Sequence, residues 1–184
     1  MMMQPTLSND SLPCAATVEI SNVQELEATL QNQVAGTTHK LAAGTYVLTG
    51  PLSITTTVSI EGSDSGSTIL QGSEAYTGTM AEYRIMNIDA GAQEVEISHV
   101  QFWKGFSSSG GAISINSGII SFVGCEFSRN SASYQGGAMY ISDGQVSITS
   151  CSFDGSFAEE VHPTLGCMNC LRHAAINREE GPCM

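Results

Sequence analysis

A tandem repeat in the middle of the chain narrows the possible folds more than any other feature. Residues 110–130 read GGAISINSGIISFVGCEFSRN and residues 136–156 read GGAMYISDGQVSITSCSFDGS, with eight identities in 21 positions at an offset of 26 residues. A more divergent third copy precedes them and is clear only in its second half, which ends at Phe102. Repetition at this period is typical of solenoid proteins.

Apolar residues alternate within each copy of the repeat. Two alternating pairs are separated by a gap of two residues, and the pattern recurs as Val95, Ile97, Val100, Phe102, as Ile120, Phe122, Cys125, Phe127 and as Val146, Ile148, Cys151, Phe153. A period of two places side chains on one face of a strand, and the gap that resets the phase indicates a corner. A further alternating segment follows each Gly-Gly pair, which can supply the backbone conformation of a sharp bend.

Three short strands in 25 or 26 residues, joined by corners too tight for hairpins, predict one coil of a parallel β-helix. Equivalent residues of successive coils then stack about 4.8 Å apart. Asn130 is predicted to have a structural role at a corner, in the left-handed conformation and bonded to neighbouring backbone. The sequence also predicts two interior ladders, one of Val100, Cys125 and Cys151 and one of Phe102, Phe127 and Phe153.

The length of 184 residues suits one domain. We predict an all-β fold, a single-stranded, right-handed parallel β-helix of about five coils over residues 15–157. An amphipathic segment at residues 21–33, with Ser21 as its N-cap, predicts an α-helix that caps the apolar end of the first coil. Residues 1–14 are expected to be extended or disordered. Residues 158–184 are expected to form a C-terminal cap or tail, partly helical around Leu171 to Glu180.

Charge limits the partners of the chain. Acidic residues number 18 against 6 Lys and Arg, so the formal net charge is −12. The resulting field repels phosphate backbones, which argues against nucleic acid as a partner. No stretch is long and apolar enough for a membrane span, and the first residues lack the basic and apolar regions of a secretory signal. No motif predicts a cofactor, and nothing in the sequence determines the oligomeric state.

The repeat motifs resemble those of a known family. With GGAI at 110–113, GGAM at 136–139 and Phe-Ser-Arg-Asn at 127–130, the sequence resembles the polymorphic outer-membrane proteins of chlamydiae. More broadly, residues 15 to about 156 resemble the pectate-lyase-like superfamily of right-handed β-helices, including an opening helix followed by LAAGTY. The resemblance implies an adhesin-like solenoid and suggests an extracellular or cell-surface location. The second Phe-x-x-Asn unit departs from the pattern, because Ser156 stands at the position of the Asn.

The pectate-lyase-like superfamily includes polysaccharide lyases, hydrolases and epimerases, so a carbohydrate-active enzyme is the alternative to a non-catalytic binding or structural module. Catalysis would need carboxylates, or a base beside a cation, grouped on one long face of the solenoid. The candidates are Glu126, Arg129 and Asp154. Their convergence around one groove would favour the enzyme, whereas scattered charges on an open wall would favour the binding module. A fragment of a longer β-helix repeat protein is the third hypothesis.

A binding module needs exposed contact residues. Trp103, the one Trp in the sequence, follows the inward Phe102 and is predicted to point outward, where its ring can contact a ligand. Lys104 follows Trp103, and Arg129 is expected one coil further along the solenoid. These three residues form the predicted contact set, and the predicted ligand is a carbohydrate or a protein surface.

The cysteines point to two different environments. Cys125 and Cys151 occupy inward positions and are predicted to be free thiols, because parallel in-register side chains rarely offer the torsion of a disulfide. The C-terminal tail holds a CxxC flanked by histidines, which has the ligand types of a zinc site but confines all four ligands to 12 residues: His162, Cys167, Cys170 and His173. No other metal site is predicted.

Overall fold

The computed structural model describes residues 16–64, 67–72, 83–158 and 176–178. Within them one helix and seventeen strands follow one another as β1 Thr17–Ile20, α1 Val23–Gln31, β2 Thr37–Leu41, β3 Gly44–Val47, β4 Leu52–Ile54, β5 Val58–Glu61, β6 Thr68–Gln71, β7 Met86–Ser98, β8 Val100–Trp103, β9 Phe106–Ser109, β10 Ile113–Val123, β11 Glu126–Ser128, β12 Ser131–Gln135, β13 Met139–Ile141, β14 Gln145–Thr149, β15 Ser152–Asp154, β16 Phe157–Ala158 and β17 Ile176–Arg178.

These strands form three sheets in which neighbours run parallel. Sheet A has the order β1-β2-β5-β7-β10-β13-β17, with β4 paired to β7 and β14 paired to β10. Sheet B has the order β15-β11-β8-β6-β3, and sheet C has the order β16-β12-β9. Strands that return to the same sheet after each circuit and always pair in parallel make a parallel β-helix. The predicted fold class is confirmed, and the five strands of sheet B correspond to five coils.

Three of the coils contain one strand segment more than predicted. The first half of β10 pairs with β13 and its second half with β14, with the pairing register shifting near Ser117. The two halves of β10 together with β11 are the three segments that the repeat predicts. Sheet C supplies the fourth segment, which was not predicted. Its inward positions hold small residues such as Ser107 and Ala132, both fully buried, so the strands of sheet C lack the alternation of large apolar residues.

The predicted corner between the apolar pairs is a single left-handed residue. His99, Gly124 and Ser150 have φ values of 54°, 61° and 55° and link sheet A to sheet B in successive coils. The His99 N–H donates to the Val123 carbonyl at 3.0 Å, and the Gly124 N–H donates to the Thr149 carbonyl at 2.9 Å. The corners are therefore hydrogen-bonded from coil to coil in the same way as the strands.

A column of aromatic rings fills the core beneath sheet B. The rings of Phe102 and Phe127 stack with centroids 4.9 Å apart, and those of Phe127 and Phe153 stack at 4.8 Å. Phe122 from sheet A meets Phe127 edge-on at 5.7 Å. The pairing register places Leu70 below Phe102 and Tyr46 below Leu70. One inward column thus runs through all five coils.

The capping helix is shorter than predicted and begins one residue later than Ser21 indicates. α1 covers Val23–Gln31, and its N-cap is Asn22, whose Oδ1 accepts the Glu25 N–H at 2.9 Å. Ser21 instead donates its N–H and its hydroxyl to the Glu25 carboxylate, at 2.9 and 3.0 Å, and these bonds lower the pKa of Glu25. Leu26 and Leu30 are buried against the first coil, as the helical spacing predicts.

The described part of the C-terminal segment is a strand. Ile176–Arg178 forms β17, which pairs in parallel with β13 and places Ile176 beside Met139. The helix predicted around Leu171 to Glu180 is therefore wrong at these three residues. The extended or disordered segment predicted for residues 1–14 lies outside the described residues, as does most of the cap or tail predicted for residues 158–184.

Asn130 joins two coils at the corner between sheets B and C. Its side chain is fully buried, donates from Nδ2 to the Phe102 carbonyl at 3.0 Å and accepts the Gly105 N–H at 2.8 Å. The structural role is as predicted, but the left-handed residue is Arg129, with φ 54°, and not Asn130. Arg129 makes the turn, and Asn130 then points inward to backbone groups that the corner leaves unpaired.

In the last described coil, Ser156 bonds the backbone groups of the corner in place of an Asn. Its hydroxyl donates to the Phe127 carbonyl at 3.4 Å and accepts the Asn130 N–H at 3.3 Å, one coil beyond the bonds of Asn130 itself. The departure from Phe-x-x-Asn therefore keeps one donor and one acceptor at the corner, with longer bonds.

Replacement of Asn130 tests this corner. We expect Asn130→Ala to lower the free energy of unfolding by about 2–3 kcal/mol, because it leaves a buried carbonyl and a buried N–H without partners. Asn130→Ser should recover part of that loss, since Ser156 makes the equivalent bonds with a hydroxyl. Urea unfolding followed by circular dichroism measures both. Asn116→Ala, at an exposed position, is the control. Equal stability of the Ala and Ser variants would contradict the bonding role.

Candidate functional site

The predicted contact and catalytic residues all belong to the outward side of sheet B or to the corner beside it. In β8, β11 and β15 the residues before and after the inward Phe lie on the outward side of the sheet. The sheet register aligns them in two columns across the coils, which we call the sheet B face: Gln101, Glu126 and Ser152 in one column and Trp103, Ser128 and Asp154 in the other.

Trp103 lies between two buried polar residues. In the sheet register its neighbours are Gln71 on one side and Ser128 on the other. Although these residues occupy outward positions, they are only 7 % and 6 % exposed. Trp103 itself is partly exposed. The Nζ of Lys104 lies 4.3 Å from the centroid of the Trp103 ring, a cation–π distance.

A hydrogen-bond network orders the other column of the sheet B face. The Nε2 of Gln101 donates to Glu126 Oε1 and to Ser128 Oγ, each at 2.9 Å. One amide therefore links both columns across two coils. Ser128 is buried, whereas Glu126 is exposed and Gln101 partly exposed, so the amide and the carboxylate are the groups that a ligand placed over the face can reach.

Lys104 and Arg129 occupy the corner that follows sheet B. Both are in the left-handed region, with φ values of 56° and 54°, and Gly155 follows in the next coil at 57°. The Lys104 N–H donates to the Ser128 carbonyl at 3.3 Å and the Arg129 N–H donates to the Asp154 carbonyl at 2.9 Å. The structure thus stacks the two cations on successive coils. Arg129 is exposed, and the described residues give its guanidinium no ion pair.

The two predicted catalytic carboxylates lie on paired strands but in different columns of the sheet B face. Glu126 opens β11 in one column, whereas Asp154 ends β15 in the other column, and both are exposed. A glycosidase requires two carboxylates that flank the same bond of the substrate. Arg129 lies at the corner, beyond the end of β11. These three residues therefore share an open face.

Two clefts lie near the N-terminal end of the solenoid, away from the sheet B face. One of about 370 Å³ is bordered by α1 and by the chain from Thr49 to Thr55. In this cleft the Glu27 carboxylate accepts two hydrogen bonds from Thr49, one from the N–H at 2.7 Å and one from the hydroxyl at 2.8 Å. The second, of about 210 Å³, contains the Lys40–Glu61 ion pair at 3.5 Å. In both clefts, lining groups such as Glu27 and Lys40 are bonded within the protein.

The two inward cysteines are free thiols. Cys125 is 2 % exposed, its N–H donates to Cys151 Sγ at 3.3 Å, and burial raises the pKa of the Cys125 thiol to about 12. Because the thiolate is the reactive form, Cys125 is a packing residue and not a nucleophile. Two residues after each cysteine, Phe127 and Phe153 of the Phe ladder continue the same core.

Metal ligands are not grouped in the described part of the chain, where no three His, Cys, Asp or Glu residues are placed to hold an ion. The zinc candidates His162, Cys167, Cys170 and His173 lie outside the described residues. The same part of the chain contains no helix with the length and apolarity to cross a membrane.

Models of protein families, curated proteins and solved structures were each searched, and none matches the chain. The assignment as a parallel β-helix therefore rests on the strand pairing and on the stacked side chains.

The sheet B face also contains residues that sequence reasoning missed. Gln101 and Ser128 belong to it and Gln71 borders it. None of the three was singled out from the sequence, unlike the Trp103 contact set and the two carboxylates. The signal was present, because each of these residues lies next to an inward apolar residue in a strand with a period of two. Reading the outward positions of the repeat, as well as the inward ones, would have identified them.

Proposed function

We propose that this chain is a non-catalytic binding module, an adhesin-like repeat domain that binds a glycan on the sheet B face. The proposal rests on one observation above all, the partly exposed Trp103 ring on a parallel sheet with an amide and a carboxylate in the neighbouring column. The all-parallel sheets support membership of the pectate-lyase-like type of β-helix. The GGAI, GGAM and Phe-Ser-Arg-Asn units support the adhesin-like comparison and a cell-surface location.

The chemistry of the face favours a neutral saccharide. An aromatic ring offers a flat apolar surface for the C–H groups of a sugar ring, while Gln101 and Glu126 offer hydrogen-bonding partners for sugar hydroxyls. The formal net charge of −12 opposes strongly anionic polymers. Lys104, whose ammonium group lies over the indole, must move aside or bond to the ligand when a sugar ring stacks there.

The open geometry favours binding over turnover. Glu126 and Asp154 are both exposed, whereas catalytic carboxylates commonly lie in a cleft that encloses the substrate and excludes water. An epimerase or lyase needs a base beside a cation or a second base. Polysaccharide lyase, hydrolase or epimerase activity is the alternative hypothesis, and a turnover assay distinguishes the two.

The test combines a glycan array with a polysaccharide degradation assay. We expect the unmodified chain to bind neutral glycans without releasing products, and Trp103→Ala to weaken that binding about tenfold, as expected when an aromatic contact worth roughly 1.4 kcal/mol is lost. Tyr134→Ala is the matched control, because Tyr134 is a 44 % exposed aromatic residue of β12 in sheet C. Product release, or equal weakening by both variants, would contradict the proposal.

A further inference from the structure

His39 is a buried histidine without a hydrogen-bond partner. His39 lies in β2 and is 1 % exposed, and neither its Nδ1 nor its Nε2 is hydrogen-bonded. A buried polar atom that loses water and gains no partner costs free energy, so such atoms are rare in folded proteins and call for an explanation.

The surroundings of His39 are apolar. β2 lies between β1 and β5, and the register places His39 beside Val18 on one side and Ile60 on the other. On its own strand the buried neighbours at alternate positions are Thr37 and Leu41. The remaining buried side chains of the first coil and of α1 are Leu26, Leu30, Tyr46, Leu48, Leu52 and Ile54.

The described residues place no charge toward the imidazole. Among the buried neighbours only Tyr46 titrates, and its hydroxyl donates to the carbonyls of Ile20 and Ala42. The charged residues of β1, β2 and β5 occupy alternate, outward positions: Glu19, Lys40 and Glu61. In α1, Glu25 bonds to Ser21 and Glu27 bonds to Thr49. Burial without a compensating carboxylate lowers the pKa of His39.

We propose that His39 makes the N-terminal cap, defined as β1, α1 and β2, an acid-sensitive end of the β-helix that opens as the pH falls below about 6.5. The neutral imidazole is tolerated in the core, whereas the imidazolium is not. Opening of the cap returns His39 to water and exposes the strand edge that β2 covers on β5.

The sign and size of the effect follow from proton linkage. In the open state His39 binds a proton with its ordinary pKa, near 6.5, and in the closed state only at lower pH. The closed state is thus favoured above the ordinary pKa and loses its advantage as the pH falls, tenfold per pH unit until the lowered pKa is reached. Each coil of a solenoid contacts only its neighbours, so one end can open while the other coils remain folded.

Hydrogen exchange of the full chain at pH 7.5 and pH 5.0, corrected for the intrinsic exchange rate, tests the proposal. We expect amides of residues 17–41 to lose protection at least tenfold at the lower pH, while amides of residues 113–128 keep theirs. His39→Leu should abolish the loss. His99→Gln is the matched control, because His99 is exposed, with Nδ1 3.8 Å from Asp64 Oδ1, and should behave as the unmodified chain.

Three results would overturn the proposal. One is an equal loss of protection in His39→Leu, and another is a loss that extends uniformly over all coils. The third comes from a measurement that needs no variant of His39. In an NMR titration of the unmodified chain, a His39 ring that titrates near its ordinary pKa while residues 17–41 stay protected would show that the closed cap accepts the imidazolium.

Discussion

Phe127→Ala should lower the free energy of unfolding by about 3–5 kcal/mol, among the largest losses for a single substitution in this chain. The Phe127 side chain is fully buried, lies between the rings of Phe102 and Phe153 at 4.9 and 4.8 Å, and meets Phe122 edge-on. Truncation removes two stacked contacts and leaves a cavity in the middle of a column that the flanking coils hold in place. Urea unfolding followed by far-ultraviolet circular dichroism measures the loss.

Phe153, in the same column but at the end of the described solenoid, provides the control for Phe127. Phe153 occupies the same column in the last described coil but is only partly buried, so Phe153→Ala should cost less than half as much. Phe127→Leu keeps most of the apolar volume and should cost about 1–1.5 kcal/mol. Equal losses at Phe127 and Phe153 would contradict a column whose interior positions are enclosed on both sides.

Large apolar residues made the inner wall of this protein predictable. The alternation of Ile120 with Phe122 and of Cys125 with Phe127 identified the strands, and the 26-residue offset set which residues stack. Sheet C was not predicted because its buried inward positions, such as Ser107 and Ala132, hold small residues. A hydrophobic pattern reports burial only where the buried side chain is large.

Local details of the corners were less predictable for a different reason. Asn130 and Arg129 can each occupy a turn, and the choice between them depends on which backbone groups of the coil below need partners. The same holds at the N-terminus of α1, where Ser21 and Asn22 both suit a cap and the one whose oxygen reaches the Glu25 N–H takes that place. Such choices are settled by tertiary hydrogen bonds that propensity does not include.

For the sheet B face, the sequence predicted which side chains point outward but not how those side chains bond to one another. The position of Trp103 directly after an inward Phe predicted that it lies on the outer side, and the repeat offset placed Lys104 and Arg129 on successive coils. The link from Gln101 to both Glu126 and Ser128 depends on the torsions of a long side chain. Those torsions become fixed only when neighbouring coils are in place.

Gly111→Ala is expected to be as damaging as the loss of the central ring, with a destabilisation of about 4 kcal/mol. A methyl group on Gly111 would overlap the carbonyl oxygens of Ser131 and Gly137. Both obstacles are backbone atoms of the following coil, held by coil-to-coil hydrogen bonds such as that from the Ala112 N–H to the Ala138 carbonyl at 2.9 Å. Relief would require two coils to separate, so the substitution breaks the pairing itself. The Gly-Gly-Ala unit is thus explained by the close approach of successive coils.

Gly50→Ala isolates this steric effect from the general consequence of replacing glycine. A methyl group at Gly50 meets open space, and φ at Gly50 lies outside the left-handed region. We expect a change of less than about 0.5 kcal/mol, or a small gain because alanine restricts the unfolded chain. The two variants should be compared by the midpoint and slope of urea unfolding. Equal losses in the free energy of unfolding for Gly111→Ala and Gly50→Ala would mean that successive coils pack less closely at this corner than the structure shows. The steric explanation of the repeated Gly-Gly-Ala unit would then be wrong.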